Sequence, residues 1–161
     1  MAGKDTKDEE NVRVVCRNRK ARYRYHIIEE FEAGLVLTGT EVKSLRSGKA
    51  SLPESYAQLR DGEVFLVGCH IDEYSQGNRN NHDPLRERKL LLSRREIGRL
   101  QTKVLERGLT LVPLSIYFRD GWAKVKIALA RGKKLHDKRE DLKRKTAERE
   151  TERELRKVRD L

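Results

Sequence analysis

The chain has 161 residues, of which 37 are Lys or Arg and 26 are Asp or Glu, so its formal net charge is +11. Only 36% of the residues are hydrophobic, and no segment approaches the roughly 20 consecutive apolar residues of a membrane-spanning helix. Residues 1–10 are mostly polar or charged and lack the apolar stretch of a secretory signal. We therefore expect a cytoplasmic protein with no membrane partner, whose positive charge attracts polyanions.

The first half of the chain contains segments typical of short strands and of one short helix. Residues 25–37 predict two short strands with a break at Ala33 and Gly34. Residues 40–47 predict a helix that stops at the glycine that follows. Residues 74–89 are polar and rich in Asn, which predicts a long mobile loop.

Two Asp-Gly pairs predict β-hairpins. The pairs occupy residues 61–62 and 120–121, and apolar and polar residues alternate on both sides of the second pair. Asp-Gly is favoured in two-residue hairpin turns because both turn residues need a positive φ. Between the two pairs, Ser93 followed by Glu96 predicts the start of a helix, since these residue types at this spacing form a capping box.

These elements predict one folded body with a segment at each end. For residues 17–130 we predict a mainly β fold, an OB-like closed antiparallel barrel with two or three short helices. Residues 1–16 are a variable N-terminal segment in this interpretation. Residues 131–161 contain 13 Lys or Arg and 8 Asp or Glu, so this basic C-terminal tail has too few apolar side chains to fold alone. We predict that the tail is disordered in isolation and helical on a partner; the alternative is a solvated helix or tail that has no partner.

The residue patterns do not point to an enzyme. The sequence contains no nucleophile elbow, no H-E-x-x-H helix and no glycine-rich phosphate loop. Cys16 and Cys69 are its only cysteines, and they lack the paired spacing of a structural zinc site. We expect a binding protein that has no catalytic residue, no metal and no cofactor.

Residues 17–25 are the most basic part of the body. They contain five cationic side chains and two tyrosines. Arginine can bind phosphate through two hydrogen bonds, and tyrosine can stack on an unpaired base. We therefore single out Arg19, Arg22 and Tyr25 as candidate RNA-binding residues, with a basic linker as the alternative interpretation.

Lys124 and Lys126 flank Val125 in the second predicted hairpin. On a strand, side chains two residues apart project from the same side, so both ammonium groups point outward. A rigid strand with two outward charges suits a phosphate backbone. The alternative is that both lysines only increase solubility.

Two further residues leave alternatives open. Glu32 lies in a basic region and either pairs with a neighbouring Arg or accepts a hydrogen bond from a base amino group. Leu91 is the middle one of three consecutive leucines. It is an exposed contact if Leu90 and Leu92 are in the core, and the reverse assignment is equally open.

Six sequence blocks between residues 18 and 139 carry a resemblance to a known family. Their order and spacing make chance similarity a poor explanation. The blocks are Asn18-Arg19-Lys20-Ala21-Arg22, Glu29-Glu30-Phe31-Glu32-Ala33-Gly34-Leu35, Glu41-Val42-Lys43-Ser44-Leu45-Arg46, Asp83-Pro84, Arg88-Lys89-Leu90-Leu91-Leu92 and Gly132-Lys133-Lys134-Leu135-His136-Asp137-Lys138-Arg139.

In these blocks the chain resembles the small protein B family, the bacterial SsrA-binding proteins that are partners of transfer-messenger RNA. The resemblance implies an OB-like barrel with a basic tail. It also implies binding to the tRNA-like domain of that RNA and its delivery to stalled ribosomes, which are rescued by tagging the nascent chain in trans-translation. The implied partners are transfer-messenger RNA, the ribosome and the elongation factor Tu complex.

The resemblance further implies roles for two sets of residues. Asn18, Glu32, Leu91 and Lys124 are implied to face the RNA. A second set is implied to act at the ribosomal decoding centre and in the empty mRNA channel, where the tail becomes helical. This set is Gly132, Lys133, Lys134, His136, Asp137, Lys138 and Arg139. The rival hypothesis is a generic OB-fold RNA-binding protein, such as a ribosomal or initiation component.

Overall fold

The computed structural model describes residues 11–106 and 108–160. Within these ranges the chain forms nine strands and four α-helices, and a 3₁₀ turn spans Asn78–Asn80. The strands are β1 (Val12–Arg17), β2 (Tyr25–Leu35), β3 (Ala50–Ser51), β4 (Tyr56–Arg60), β5 (Glu63–Val67), β6 (His70–Ile71), β7 (Arg88–Leu91), β8 (Leu109–Arg119) and β9 (Trp122–Gly132). The helices are α1 (Ala21–Arg24), α2 (Gly39–Arg46), α3 (Arg94–Val104) and α4 (Leu135–Arg159).

Seven strands form one antiparallel sheet in the order β1-β8-β4-β5-β7-β2-β9. Because β8 also pairs with β9, the paired strands run round a ring, and β1 pairs with β8 beside it. One paired position, Ala57 opposite Leu111, joins β4 to β8. The remaining strands, β3 and β6, form a small separate sheet. The prediction of a mainly β fold with a few helices is confirmed, in the form of this ring of strands.

Both predicted hairpins are present. The turn at residues 61–62 has φ angles of 51° and 75°, and the turn at residues 120–121 has φ angles of 51° and 82°. Two consecutive positive φ angles are typical of a type I′ turn, which joins two strands with two residues. Arg119 therefore lies directly opposite Trp122, and this pair fixes the register of the β8–β9 hairpin as far as Ser115.

The strand β2 is continuous, although a break at Ala33 and Gly34 was predicted. Gly34 pairs with Leu91 of β7 on one side and with Lys124 of β9 on the other. A Cβ atom on Gly34 would lie 3.2 Å from the Cβ of Leu91, which is closer than an ordinary contact. The glycine thus allows the close approach of β7 and does not end the strand.

The ring encloses the main hydrophobic core, where Leu66, Ile116 and Ile127 have no exposed surface. A second, smaller cluster lies on the opposite side of β8 and β9. In it, Ala21 of α1 packs against Val112, Leu114, Ala128 and Ala130. Side chains alternate between the two sides of a strand, so β8 and β9 both contribute to both clusters. The pairing of β8 with β9 shifts between residues 113 and 115, which changes the alternate positions of β8 that face the main core.

A buried ion pair connects α2 to β7. The guanidinium of Arg88 and the carboxylate of Glu41 both have no exposed surface and are hydrogen-bonded to each other. Arg88 also donates to the carbonyl oxygens of Cys69, at 2.6 Å, and of Pro84, at 3.1 Å. Arg86 donates to the second carboxylate oxygen of Glu41 at 2.5 Å. These bonds satisfy both buried charges, as charges removed from water require.

The Asn-rich segment before β7 is fixed by hydrogen bonds, in contrast to the mobile loop that was predicted. The side chain of Asn81 accepts from the backbone N–H of Tyr74 at 2.9 Å and donates to the carbonyl oxygen of the same residue at 2.6 Å. The imidazole of His82 is buried and bridges the hydroxyl of Thr40 and the carbonyl of Ile71, at 2.9 Å each. Side-chain bonds of this kind were not visible in the polar composition of the segment.

The C-terminal tail is one helix of 25 residues, α4, and its disorder in isolation stays a prediction. No residue of α4 is buried, and most of its interactions are local. His136 pairs with Glu140 at 3.2 Å one turn away, and the carboxylate of Asp137 accepts from the backbone N–H of Lys134 at the helix start. Such pairs and caps, in a segment without Gly or Pro, favour a helix. None of the described helices is both long and apolar enough to cross a membrane.

The predicted segment boundaries differ from the structure at both ends of the body. Residues 1–10 lie outside the described residues. β1 begins at Val12 and belongs to the ring, so the segment predicted for residues 1–16 includes most of a paired strand. At the other end β9 extends to Gly132, which pairs with Tyr25, so the first residues assigned to the tail also belong to the ring.

The carboxyl group of Glu41 has a strongly altered pKa. Burial alone would raise it, but hydrogen bonds from Arg86, from the backbone of Thr38 and from Arg88 lower the pKa from 4.5 to about 2. A folded-state pKa below the unfolded value stabilises the protein above the unfolded pKa. This contribution is lost as the pH falls from 4.5 towards 2.

We expect Glu41→Gln to lower the free energy of unfolding by about 3 to 5 kcal/mol at neutral pH, because it leaves the buried Arg88 without its carboxylate. Urea denaturation measures this difference, which should shrink as the pH falls below 4.5. The control is Glu63→Gln, which removes an exposed ion pair with Lys89 and should cost less than about 1 kcal/mol. Equal costs for the two variants, or a difference that does not change in acid, would contradict the proposed role of the buried pair.

Candidate nucleic-acid interface

The outward-facing surfaces of β7, β2, β9, β8 and β1 form one continuous face, which we call the outer face. One row of neighbours crosses it from strand to strand. In strand order this row is Leu91, Gly34, Lys124, Tyr117 and Val14. The row brings Leu91 and Lys124, which are more than 30 residues apart in the sequence, to either side of one glycine.

A second row lies next to the first on the outer face. Glu32 of β2 is opposite Lys126 of β9, which is opposite Ser115 of β8, which in turn is opposite Arg17 of β1. Lys124 and Lys126 alternate with the buried residues around them, as predicted. The two rows together place Glu32, Leu91 and both lysines on the same side of the ring.

A basic groove of about 370 Å³ lies at the β1 side of the outer face. Five of its lining side chains are cationic, and hydroxyl- and amide-bearing side chains lie among them. The polar and charged lining consists of Arg17, Asn18, Arg19, Arg22, Ser115, Tyr117, Arg119 and Lys126. Five positive charges in one concave surface create a strong local attraction for a polyanion.

Asn18 fixes the chain where β1 ends and α1 begins. Its backbone N–H donates to the carbonyl of Leu114 at 2.7 Å, and its side-chain amide donates to the carbonyl of Pro113 at 3.1 Å. The side-chain oxygen Oδ1 is buried and has no hydrogen-bond partner among the residues that the structure describes. Asn18 therefore attaches the floor of the basic groove to β8, and it holds an unused acceptor there.

Glu32 pairs with neighbouring side chains, which is one of the two roles that the sequence left open. Its Oε2 atom accepts from the hydroxyl of Tyr117 and, at 3.1 Å, from Nε of Arg119. Burial raises the pKa of Tyr117, and the hydrogen bond to Glu32 raises it further. The phenol thus stays protonated and remains a donor, and Glu32 orients two side chains of the basic groove.

A second carboxylate orients two more cations at the groove. Glu30 pairs with Arg22 at 2.8 Å and lies 3.8 Å from Nζ of Lys126. All three side chains are exposed, so each pair contributes little to stability. Their effect is to restrict where the cationic groups point.

An apolar groove of about 460 Å³ adjoins the outer face on the side of β7. Leu91 and Trp122 project into solvent there, with 54% and 74% of their surface exposed, and Lys124 lies beside them. Leu90 is buried and Leu92 is partly buried, so Leu91 is the exposed leucine of the three. Exposed large apolar side chains next to a cation are typical of a binding surface.

Six of the eight predicted RNA-binding residues line these two grooves. Glu32 lies beside the basic groove, bonded to Tyr117 and Arg119, and Tyr25 lies elsewhere. It begins β2 and packs partly buried against the small cluster under α1. The sequence interpretation missed Tyr117 and Arg119 as site residues. The register set by a two-residue turn at 120–121 could have identified them, because it places Tyr117 opposite Lys124.

The predicted ribosome-binding residues lie at the junction of β9 and α4. Gly132 ends β9, and Lys134 precedes the first turn of α4. His136 and Arg139 are exposed on α4, whereas Lys138 lies with its Nζ atom 5.8 Å from the ring centre of Tyr23. The side chain of Lys133 is nearly buried. The Oδ2 atom of Asp137 lies 3.4 Å from Nε2 of His26. The described residues contain no group of His, Cys, Asp and Glu that could hold a metal ion.

Comparison with known proteins identifies relatives over nearly the whole chain. The sequence model of the SmpB protein family matches residues 15–157. An SsrA-binding protein of Desulforudis audaxviator is 57% identical over 144 residues, which cover 89% of this chain and 94% of the relative. An SsrA-binding protein of Thermobifida fusca is 56% identical over 160 residues, which cover 99% of this chain and 100% of the relative.

A solved structure agrees with these matches. A chain from the work described as "tmRNA-SmpB: a journey to the center of the bacterial ribosome" has 53% sequence identity and a TM-score of 0.63, over 74% of this chain and 85% of that chain. The family consists of RNA-binding proteins and not of enzymes, which confirms the prediction of a protein without catalytic activity. The chain therefore belongs to the SmpB family of SsrA-binding proteins.

Proposed function

We propose that this protein binds the tRNA-like domain of transfer-messenger RNA through its outer face and thereby takes part in trans-translation. The observation that carries the proposal is the basic groove, in which five cationic side chains surround Asn18 and Tyr117. The names of the relatives, which are SsrA-binding proteins, support the choice of RNA. We also infer that the ring of strands acts as an OB-like closed barrel, whose stiffness keeps these contacts in place.

The two grooves suit different parts of an RNA. The arginines of the basic groove can each donate two hydrogen bonds to a phosphate, so this groove holds the backbone. Leu91 and Trp122 offer apolar surface to unpaired bases or sugars in the apolar groove. Lys124 lies between the two and neutralises a phosphate next to the bases. The folded elbow of a tRNA-like domain presents both features together.

A generic OB-fold RNA-binding protein remains the second candidate function. It would use the same basic groove, but it would not discriminate between folded RNAs. The row that joins Leu91, Gly34 and Lys124 favours the specific function, because an apolar contact beside a phosphate contact demands a defined RNA shape. Competition between two RNAs distinguishes the candidates.

We further propose that α4 acts on the ribosome after the RNA is delivered. The exposed residues His136 and Arg139 suit stacking on a base and binding of phosphate in the decoding centre. A basic helix enters an mRNA channel only where no message fills it, so α4 would sense an empty channel. In this proposal Gly132 and Lys134 place the helix at the edge of the ring. The elongation factor Tu complex stays a predicted partner of the protein.

The test of the proposed function is a gel shift with the tRNA-like domain in the presence of excess bulk tRNA. We expect binding that bulk tRNA does not displace. We expect Lys124→Ala to weaken binding and to reduce the slope of log affinity against log salt by about one, because one phosphate contact is lost.

The matched control for this test is Lys49→Ala, which removes the same charge outside the outer face and should leave the slope unchanged. Equal affinity for the tRNA-like domain and bulk tRNA would support the generic function instead. An unchanged slope in Lys124→Ala would show that this lysine does not contact phosphate.

We expect Glu32→Gln to weaken RNA binding several-fold, because Arg119 and Tyr117 lose the carboxylate that orients them. Charge alone predicts the opposite sign, since removing a negative charge increases the attraction for RNA. The control Asp120→Asn removes an equal charge from the nearby turn at a position where Asn tolerates a positive φ. If both variants strengthen binding equally, Glu32 has no orienting role.

We expect truncation after Lys134 to leave RNA affinity nearly unchanged and to abolish tagging on stalled ribosomes. This end point keeps all of β9, which ends at Gly132, and removes all of α4. Gel shift measures the affinity, and a reconstituted translation reaction on a message without a stop codon measures tagging. Tagging by the truncated protein would exclude the proposed role of α4.

A further inference from the structure

Trp122 is the one tryptophan of the chain, and it is the first residue of β9. Its side chain lies on the outer face in line with Lys124, because side chains two residues apart on a strand project from the same side. Proteins usually bury most of the surface of a tryptophan, yet 74% of the surface of Trp122 is exposed. A large apolar ring left in water is typical of a contact site.

The position of Trp122 is fixed by the hairpin to which it belongs. The residue follows directly after the two-residue turn at 120–121, and it is paired with Arg119 across the hairpin. The backbone at the start of β9 therefore has little freedom. A ring that is held in place before binding loses little conformational entropy when a ligand stacks on it.

The apolar groove beside Trp122 has an exposed apolar side chain on each side of a low floor. Trp122 belongs to β9 and Leu91 to β7, and these two strands flank β2. Between them β2 contributes Gly34, which has no side chain, so the floor of the groove is backbone at this point. A groove of this form suits a flat ligand whose faces are apolar.

The chemistry of the lining restricts the ligand further. Among the described residues that line the apolar groove, Lys124 alone has a polar side chain. The lining side chains therefore offer apolar contact and stacking, but no hydrogen bond that would identify the edge of a base. The ammonium group of Lys124 attracts an anion. A nucleotide supplies both a flat ring and an anionic phosphate.

The two grooves of the outer face are continuous, which favours RNA over an apolar segment of a protein as the occupant. Lys124 lines the apolar groove, and its neighbour across the hairpin, Tyr117, lines the basic groove. An RNA backbone that follows the cations of the basic groove therefore arrives at the apolar groove with its next nucleotide.

We propose that the apolar groove takes up one unpaired base of the bound RNA, which stacks on the indole of Trp122 while an adjoining phosphate contacts Lys124. Leu91 contacts the same base from the other side of the groove. Because every base has a face that can stack, Trp122 selects an unpaired nucleotide and does not discriminate between the four bases. This inference rests on the proposed function of the outer face and narrows it to one nucleotide.

The first test uses the fluorescence of the unmodified protein, which reports on Trp122 alone. We expect titration with the tRNA-like domain to quench most of the indole emission, because a base stacks on the ring. Emission that stays unquenched at saturating RNA would overturn the proposal. A blue shift that develops on concentrating the protein without RNA would also overturn it, because a second copy would then cover the groove.

The second test separates stacking from general apolar contact. Trp122→Leu keeps apolar surface without a flat ring, so we expect RNA affinity to fall about tenfold. Trp122→Phe keeps a ring and should lower affinity by less than about threefold. The matched control Tyr56→Leu removes an exposed ring from β4 and should leave affinity unchanged. Equal losses in the two Trp122 variants would show that no base stacks there.

The same variants distinguish the base from its phosphate. Trp122→Leu should lower affinity by the same factor at every salt concentration, because the variant loses no phosphate contact. Lys124→Ala, by contrast, is expected to reduce the salt slope. A reduced slope in Trp122→Leu would contradict a role in stacking alone.

The matching change in the RNA is an abasic nucleotide, placed in turn at each unpaired position of the tRNA-like domain. We expect one position at which the parent protein loses affinity about tenfold and Trp122→Leu loses no more, since both changes remove the same contact. Replacement of that base by any other base should change affinity by less than about threefold. If the effect of no abasic position depends on Trp122, the groove does not hold a base.

Failure of the proposed function gives a different pattern of results. Bulk tRNA that competes equally with the tRNA-like domain would refute the specific function of the outer face. Quenching of Trp122 by bulk tRNA, together with weaker binding of bulk tRNA to Trp122→Leu, would in that case still support stacking. Absence of quenching by either RNA would overturn the stacking role.

Discussion

The outer face depends on the register of the β8–β9 hairpin. The two-residue turn at 120–121 pairs Arg119 with Trp122, and every later pair of the hairpin up to the shift near Pro113 follows from it. A slip of one residue would turn Lys124 into the core and expose the buried Val125. The hydrophobic core therefore enforces the arrangement of the charged groups outside it, and the chemistry of the face is a consequence of packing on its other side.

A second constraint acts on the opposite edge of the face. The buried pair of Glu41 and Arg88 ties α2 to the first residue of β7, and Arg88 also collects backbone carbonyls from the segment before that strand. Three residues further on, Leu91 stands beside Gly34 with its side chain in solvent. The buried ion pair fixes the start of β7, and through this strand it fixes the position of the exposed leucine. This explains why an apolar contact can occur at a defined position on a surface that is otherwise polar.

The sequence allowed the local part of this structure to be predicted and left out the part that depends on distant partners. The hairpin turns and the start of α3 at Ser93 follow from residue types next to one another, and they were predicted correctly. The sequence pattern predicts a break at Gly34 because it does not show the neighbour of this glycine across the ring, Leu91. Glu41 was passed over because its partner is 47 residues away. Lys133 was grouped with Lys134 because composition does not show that only one of them is enclosed.

Because α4 is long, the contacts at its base control the position of its far end. At a rise of 1.5 Å per residue, a straight helix of 25 residues is a lever arm of about 37 Å. A tilt of about 10° at its base would move the far end by about 6 Å, roughly the spacing of one helical turn. Small changes in the few contacts near α1 are therefore magnified along the helix. The position of the tip of α4 is therefore determined by contacts at the other end of the helix.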